Sequence, residues 1–259
     1  MRSSIVEKLV AVLTLVSEAK RPPTFSELVS ISGFNKSTTH RLLALAVEAQ
    51  LLQFDKERKA YLLGSKIFDM VRNAYNGYDI QIIALGEMMR LHELIEENVT
   101  IGVPAGPDTI YLRVLEAKKP MGTAHRPGMR EPFHCSASGK ALLAFMPDRV
   151  IDAKLAAHDF ERFTDNTITT PEAYKQALEI VRNTGFGTND REEYDHLVGI
   201  SAPIFNFIGE PIAVLNIWTL HHRQSIAQLS TWSDELIASA ARVTELIGGA
   251  APSTESLRN

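Results

Sequence analysis

Hydroxyl, imidazole and guanidinium side chains are concentrated in one short stretch of the chain, NKSTTHRLLALA at residues 35–46. Ser37, His40 and Arg41 follow the i, i+3, i+4 spacing of one helix face, whereas the leucines of the stretch fall on another face. Hydroxyl groups and arginine can bind phosphate or the edges of base pairs, so this face suits the major groove of DNA. The alternative is a solvated helix in a domain that binds only protein.

The segments around this helix occur in the order of a winged helix-turn-helix. Helical spacing of apolar residues predicts helices over residues 5–19, 25–31 and 35–49. Gly33 lies between the second and third helices, where a turn that needs unusual backbone dihedral angles costs least. Two short alternating runs, at residues 52–55 and 60–63, then predict a β-hairpin with a charged turn.

The residues expected to contact DNA belong to the third helix and to the hairpin turn. They are Lys36, Ser37, Thr38, His40, Arg41, Arg58 and Lys59. The first 66 residues contain ten lysines and arginines against six acidic residues, and the remainder contains seventeen against twenty-five, within a net charge of −4. A basic N-terminal part on an acidic remainder predicts that only the N-terminal part meets a polyanion.

Length and composition set wider limits. A chain of 259 residues with average apolar content suggests two domains of an ordinary globular protein. The single cysteine, Cys135, excludes an internal disulfide and fits a reducing cytoplasm. The N-terminus shows no signal-peptide pattern, and no apolar run is long enough to span a bilayer. We therefore expect a cytoplasmic protein without a membrane partner.

The chain beyond the hairpin mixes helical and strand-like segments. Helices are predicted over residues 66–75, 79–97, 138–145, 171–184 and 226–247. Strands are predicted over residues 99–103, 109–116, 198–205 and 212–218. Turn signals separate strands that are close in sequence, which indicates an antiparallel sheet surrounded by helices, an α+β domain.

The stretch HCSASGKALLA at residues 134–144 is the most distinctive segment of the second half. Ser136 or Ser138 can cap a helix there, and small residues let a ligand approach the backbone. Because a helix N-terminus attracts negative charge, this segment could anchor a small organic anion. An ordinary capped helix explains the same residues.

Two residues of the same stretch allow an interpretation as an enzyme site. Cys135 beside His134 suggests a thiol nucleophile and its base, but adjacent residues rarely point together and a lone cysteine is usually a small buried apolar residue. The spacing from Ser136 to Lys140 is one residue too long for an S-x-x-K motif, and the other residues of a phosphate-binding loop are missing. We expect no catalytic site and no cofactor.

Two groups of residues could be imagined as metal ligands. They are the acidic run at residues 190–196, which ends in a histidine, and the pair His221-His222. Neither group is supported by a helical histidine pair or a CxxC motif, so a charged, solvated loop is the better explanation and no metal is expected.

From its first helix to about Gly248, the chain resembles the IclR family of bacterial transcriptional regulators. The matching segments occur in family-like order, at residues 35–43, 61–66, 134–141, 185–187, 192–193, 198–204 and 209–211. The resemblance implies an α+β protein with four parts. They are a winged helix-turn-helix DNA-binding domain at 1–65, a linker helix at 66–77, a GAF-like effector-binding domain with an antiparallel sheet at 78–250, and a flexible tail at 251–259.

The resemblance also implies the residues of an effector pocket. Carried over by position, they are Thr123, Glu131, His134, Ala137, Ser138, Asn189, Leu197, Gly199, Asn216 and Trp218. This chain departs from the family pattern at Gln50, where glycine is common, and at Thr39, where an aliphatic residue is usual. Trp218 would add a broad flat wall, so we expect an effector with a ring or another apolar body rather than a two-carbon acid.

The family resemblance implies a regulator, expected here to be a repressor, controlled by a small organic acid. Such proteins form homodimers or homotetramers, and two-fold symmetric heads predict a pseudo-palindromic operator in double-stranded DNA. Effector binding would favour one arrangement of the linker helices and so change the spacing of the DNA-reading heads. The alternatives are a small-molecule hydrolase or thiol enzyme built around Cys135, and a helix-turn-helix used only for protein contacts.

Overall fold

A three-helix unit with a hairpin forms the N-terminal part of the computed structural model, which describes residues 5–74, 80–119 and 126–252. The chain divides into two compact units, Met1–Gly77 and Tyr78–Asn259. The elements of the first unit are α1 (Ile5–Glu18), α2 (Phe25–Ser32), α3 (Lys36–Glu48), β1 (Leu52–Asp55), β2 (Ala60–Leu63) and α4 (Ser65–Ala74). The predicted linker helix thus begins directly after the hairpin, and the last predicted linker residues, 75–77, lie outside the described ranges.

Local capping explains where the helices of this unit begin and end. Thr24 caps α2, because its hydroxyl accepts from the Glu27 amide while the Glu27 carboxylate accepts from the Thr24 amide. Gly33 then ends α2 in the left-handed region, with φ 68°. Asn35 caps α3, since its Oδ1 accepts from the Thr38 amide at 2.8 Å. These caps produce the tight turn between α2 and α3.

The first unit has its own apolar core. The buried side chains come from all three helices and the first strand, and they are Val12, Val16, Leu28, Leu42, Leu43, Ala46 and Leu52. The hairpin is held to the start of α2, because the Tyr61 amide donates to the Pro23 carbonyl at 2.9 Å. Gln50, after α3, has φ 59°, which is a left-handed conformation that favours glycine.

A six-stranded antiparallel sheet forms the centre of the second unit, with the strand order β5-β4-β3-β8-β7-β6. The strands are β3 (Asn98–Ala105), β4 (Asp108–Leu115), β5 (Arg130–Pro132), β6 (Gly187–Asp190), β7 (Leu197–Phe205) and β8 (Pro211–Leu220). The neighbouring inner strands β7 and β8 are buried along nearly their whole length, so helices cover this part of the sheet.

The helices of the second unit are α5 (Ile80–Ile83), α6 (Leu85–Ile95), α7 (Ala137–Leu143), α8 (Asp148–Ala156), α9 (Pro171–Thr184), α10 (Ile226–Leu229) and α11 (Ser233–Leu246). Short 3₁₀ segments precede α7 and α11. One core joins α7, α8 and α9 to the sheet through Val214, and its aromatic members are Phe133 and Tyr174. We call the sheet face that carries Val214 the α7 face.

The predicted fold class, an α+β chain with a winged helix-turn-helix followed by an antiparallel-sheet domain, is confirmed. The predicted single helix over 79–97 is instead two helices, α5 and α6, which meet at Ala84. The predicted helix over 226–247 is likewise divided, because the capped α10 leads into a 3₁₀ segment. The strands β5 and β6 and the helix α8 were not predicted.

In the described ranges no helix has both the length and the apolar character needed to cross a membrane.

The turn at Gly33 yields a stability prediction. A Cβ at Gly33 would meet no neighbouring atom, so Gly33→Ala should destabilise only through left-handed backbone strain, by about 1 kcal/mol. Urea denaturation of the full chain measures the change. Gly86→Ala is the matched control: Gly86 also has open space around it but lies inside α6, so alanine should stabilise by about 0.5–1 kcal/mol. Equal changes in unfolding free energy for the two variants would contradict the proposed backbone strain at position 33.

Candidate functional site

The face of α3 that the sequence assigns to DNA is exposed. Lys36, Ser37, His40 and Arg41 are all exposed, Thr38 is half-buried, and the Thr38 amide donates to the helix cap at Asn35. The opposite side of α3 is buried in the core of the first unit. The His40 ring is positioned against the edge of Phe25, with 6.1 Å between ring centroids. The helix therefore presents hydroxyl, imidazole and guanidinium groups to solvent in one row.

The hairpin turn adds further positive charge to the first unit. Arg58 and Lys59 are exposed, and Lys59 has φ 49°. Arg58 lies 3.9 Å from the Asp55 carboxylate, an exposed ion pair that contributes little. The Asp55 side chain also accepts from the amides of Glu57 and Arg58, which fixes the turn. Both predicted basic residues are thus available to a polyanion.

Polar side chains form a buried band across the α7 face of the sheet. Directly paired residues of antiparallel strands point to the same side, and residues two apart along a strand share it. Asn189 pairs with Gly199, and Gly199 pairs with Trp218, so these three predicted effector residues form one row. Asn216 lies in the next row, between Ser201 and Thr100. The structure therefore brings four predicted residues from three strands together.

A second part of the band lies nearer to α7. The Tyr111 hydroxyl donates to the Glu131 carboxylate, and Ser138 Oγ lies 3.0 Å from the same hydroxyl. All three side chains are buried. Two predicted pocket residues, Glu131 and Ser138, are thus joined through a tyrosine that the sequence analysis did not select. Thr123, the remaining predicted wall residue from this part of the chain, lies outside the described ranges.

Two carboxyl groups, the buried one of Glu131 and the half-buried one of Glu193, meet beside this tyrosine. The carboxyl groups of Glu131 and Glu193 are close enough to interact, and a hydrogen bond between them requires a proton on one of the two. The pKa of Glu131 is raised to about 8. Burial is the largest cause of this increase, and the neighbouring Glu193 carboxylate is the second. Burial also raises the pKa of Glu193. Glu193 belongs to the loop between β6 and β7, so the carboxyl pair attaches that loop to the sheet.

A buried ion pair holds the same loop to α7. Lys140 Nζ lies 2.5 and 2.6 Å from the two oxygens of Glu192 and 2.8 Å from the Thr188 carbonyl. The Glu192 amide donates to Asn189 Oδ1 at 2.9 Å, and its carbonyl accepts from Thr167 Oγ1 at 2.6 Å. Lys140, which fits neither an S-x-x-K motif nor a phosphate-binding loop, is therefore a structural cation.

The polar band contains buried polar atoms that have no hydrogen-bond partner. Among the described residues, Asn216 Oδ1 and Thr109 Oγ1 are buried without a hydrogen-bond partner. A Cβ built on Gly199 would lie 3.4 Å from Trp218 Cβ and 3.6 Å from Asn216 Oδ1, so Asn216 Oδ1 points toward the bare α carbon of Gly199. Unpaired buried polar atoms are costly, and they are expected where a ligand or water completes them.

The remaining predicted effector residues have different surroundings. Leu197 is buried and shares the α7 face with Gly199, two residues further along β7. His134 is buried, but its Nε2 donates to the Glu161 carbonyl at 2.9 Å and its Nδ1 accepts from His158 at 2.8 Å. Both ring nitrogens are thus used by the loop after α8, and the ligand role of His134 stays a prediction.

The small residues around α7 serve packing in this structure. A Cβ on Gly139 would lie 2.3 Å from the Phe133 backbone, and one on Gly187 would lie 2.4 Å from the Ala137 carbonyl. Gly187 therefore lets α7 approach β6 closely, and Gly139 lets α7 pack against the preceding 3₁₀ segment, whereas the sequence suggested that small residues there admit a ligand. Ser136, not Ser138, caps α7 by accepting from the Gly139 amide at 3.0 Å. Ser138 is free to contact Tyr111 instead.

Neither the thiol nor the metal interpretation gains support. Cys135 is buried, burial raises the pKa of its thiol, and the His134 ring is bonded elsewhere. In the part of the chain that the structure describes, no group of three or more histidine, cysteine or acidic residues could hold a metal ion.

The sequence analysis missed several members of the band. They are Asn98, Thr100, Thr109, Tyr111, Glu193 and Ser201. A signal was available, because residues 98, 100 and 102 are polar or small at every second position of a strand whose other residues are apolar. The strand order is needed to show which face of the sheet these polar and small residues occupy.

Comparisons with known proteins cover both units. Residues 5–56 match the IclR helix-turn-helix domain, and residues 72–245 match the bacterial transcriptional regulator IclR C-terminal domain. The HTH-type transcriptional regulator XynR of Escherichia coli (strain K12) is 25% identical over 243 residues, which cover 94% of this chain and 96% of that protein. The HTH-type transcriptional regulator KdgR of the same organism is 27% identical over 245 residues, covering 95% and 93%.

A solved structure shows the same fold. The IclR homologue from Microbacterium hydrocarbonoxydans, crystallised with 4-hydroxybenzoate, has a TM-score of 0.78 and 22% sequence identity. The similarity covers 94% of this chain and 99% of that chain. These matched families and relatives are transcriptional regulators rather than enzymes, which answers the hydrolase and thiol-enzyme alternative.

The buried ion pair yields a stability prediction. Lys140→Met would leave the Glu192 charge buried without its partner, so the second unit should lose about 3–5 kcal/mol of unfolding free energy. Urea denaturation measures the loss. The double variant Lys140→Met/Glu192→Met should recover most of it, because no lone charge remains.

Lys175→Met is the matched control for this prediction. Lys175 also pairs with a carboxylate, Asp152 at 2.6 Å, but both side chains are more than half exposed. Its loss should have no measurable effect on unfolding. A Lys140→Met variant as stable as the wild-type chain would show that the buried pair does not hold the loop.

Proposed function

The chain belongs to the IclR family of bacterial transcriptional regulators, and we propose that it represses its target genes until a small organic acid binds to its second unit. The observation that carries the effector part of the proposal is the buried polar band on the α7 face, with unpaired atoms at Asn216 and Thr109. The proposed ligand has an apolar, preferably aromatic, body. The regulator would act in the cytoplasm, where its DNA is.

Support for DNA contact comes from the first unit. Ser37, His40 and Arg41 form an exposed row on α3, and Lys36 precedes them. In a helix-turn-helix the N-terminal part of this helix enters the major groove, where arginine and hydroxyl groups meet base edges and phosphates. Thr38, Arg58 and Lys59 complete the proposed contact set toward the flanking backbone.

Support for the effector comes from the row Asn189, Gly199 and Trp218 and its neighbour Asn216. Trp218 is buried on the α7 face next to the bare backbone of Gly199, so a flat ligand could lie against its indole ring. The 4-hydroxybenzoate found in a protein of the same fold makes hydroxybenzoates suitable probes. The proposed set also includes Glu131, Ala137, Ser138 and Leu197, with His134 and Thr123 retained as predictions from the family resemblance.

Regulation would operate through a thermodynamic linkage between effector binding and DNA binding. An effector that binds one arrangement of the linker helices better than another shifts the population toward it. In a homodimer or homotetramer this would change the separation of two DNA-binding units, whose half-sites must lie about one duplex turn or a multiple apart. Two-fold symmetry predicts a pseudo-palindromic operator.

The DNA-binding proposal is tested at Arg41. Arg41→Ala should weaken binding to the DNA upstream of its own gene by about tenfold or more, because a charge-assisted contact to phosphate or base is lost. Fluorescence anisotropy at several salt concentrations measures affinity and its salt dependence, which should become shallower by about one phosphate contact. Arg149→Ala, which removes an exposed arginine of α8, is the control and should change neither. Equal affinities for both variants would remove Arg41 from the interface.

The effector proposal is tested with matched acids and one small substitution. Benzoate and 4-hydroxybenzoate should bind in isothermal titration calorimetry, and glyoxylate and pyruvate should bind weakly or not at all. Gly199→Ala should fold normally, since its new Cβ makes only ordinary contacts, yet it should weaken acid binding by about tenfold, because the methyl group would lie between Trp218 and Asn216 Oδ1, where the acid is proposed to bind. Binding of the two small acids alone, or unchanged binding by Gly199→Ala, would contradict this pocket.

A further inference from the structure

The buried cation of α7, Lys140, is already occupied before any anion reaches the α7 face. Lys140 is buried, and its three ammonium protons are used by the two Glu192 oxygens and the Thr188 carbonyl. On the same side lie Glu131 and Glu193. When these two carboxyl groups hold a single proton between them, the pair carries one negative charge. The site is therefore acidic before the ligand arrives.

We propose that the Glu131–Glu193 pair takes up a proton when an organic acid binds, so that effector and hydrogen ion act on this regulator together. This inference rests on the proposed function, since it concerns the same site and the same class of ligand. The ligand carboxylate would be held through a proton shared between carboxyl groups rather than through an ammonium or guanidinium group.

The charge balance of the step follows from the groups present. A carboxylate that enters beside a half-protonated carboxyl pair brings a second negative charge into a buried region, where unpaired charge is very costly. One proton from solvent, bound by the pair, restores the original charge. No bond other than that O–H bond forms, and no other co-reactant is needed.

The other titratable groups around the pair do not replace it as the proton acceptor. Burial raises the pKa of the Tyr111 hydroxyl and of the Cys135 thiol, and the Glu193 carboxylate raises the pKa of Tyr194, so all three stay neutral near pH 8. Glu192 is bound to Lys140 as an ion pair. Glu131 and Glu193 thus remain as the groups that change protonation, and burial places the pKa of Glu131 at about 8.

An independent observation indicates that a ligand belongs beside the pair. Thr109 is directly paired with Glu131 across β4 and β5, and its Oγ1 is fully buried without a partner among the described residues. Thr109 and Tyr111 are two residues apart on β4, so their side chains share the α7 face. A hydroxyl in that position can donate to a ligand oxygen that lies between it and Glu131.

Isothermal titration calorimetry of the full chain with benzoate and 4-hydroxybenzoate tests the inference. Measured at pH 7, below the Glu131 pKa of about 8 so that the pair still holds its first proton, in phosphate and in Tris, which differ in ionisation enthalpy, the apparent binding enthalpies should differ by an amount corresponding to the uptake of about one proton. Since protons and ligand bind together, the dissociation constant should rise by up to about tenfold per pH unit as the pH is raised toward 8.

The variants separate this role from a structural one. Glu131→Gln/Glu193→Gln should bind the acids with the same enthalpy in both buffers and with a flat pH profile. If the double variant does not fold, the single variant Glu193→Gln, which changes a half-buried position, serves in its place. It should take up fewer protons on acid binding than the wild-type chain. Glu172→Gln, an exposed residue of α9, is the control and should behave like the wild-type chain.

The possible outcomes are distinguishable. Acid binding without proton uptake, or uptake that persists in the folded double variant, overturns the carboxyl-pair inference and leaves the proposed function in place. Failure of every tested acid to bind overturns the proposed organic-acid effector, and the inference with it. Proton uptake that disappears with the two glutamates supports both.

Discussion

The buried ion pair between Lys140 and Glu192 is the interaction on which the second unit depends. It joins α7 to the loop between β6 and β7, two segments that are 52 residues apart in sequence. Two buried charges are stable only when every donor and acceptor is satisfied, and here the Thr188 carbonyl completes the ammonium group. Because the loop is fixed at Glu192, the next residue, Glu193, is brought to Glu131. The acidity of the candidate site is therefore a consequence of how the loop is held.

The α7 face combines two requirements that usually conflict. Gly187 lets α7 lie directly on β6, which excludes water and makes every unpaired polar atom expensive. The strands nevertheless place polar residues there, including Asn216 and Thr109 with atoms that lack partners among the described residues. Stability alone would favour apolar residues at these positions. The retained polarity is what a binding function explains and a packing function does not.

The sequence predicts some of this structure well and some of it poorly, for physical reasons. The row Ser37, His40 and Arg41 could be read directly, because a helix face is defined by spacing within one segment. The band on the sheet could not, because Glu131 and Asn216 become neighbours only through strand order and loop closure. Three- and four-residue edge strands such as β5 and β6 carry too little alternation to be recognised. The resemblance to a family supplied residue positions, but not the protonation of Glu131 or the partner of Lys140.

The proposed site differs in kind from one that holds its acid through arginine. A free guanidinium group attracts any small anion, since Coulomb attraction depends on charge and distance rather than on the body of the ligand. In the proposed site a carboxylate gains no such attraction, so binding must come from the wall at Trp218, the hydrogen bonds of the polar band and a proton. Small anions such as acetate offer the charge without the apolar area, and they are therefore at a disadvantage. Using the available cation internally, in the pair with Glu192, thus favours selection by the shape of the ligand over selection by its charge.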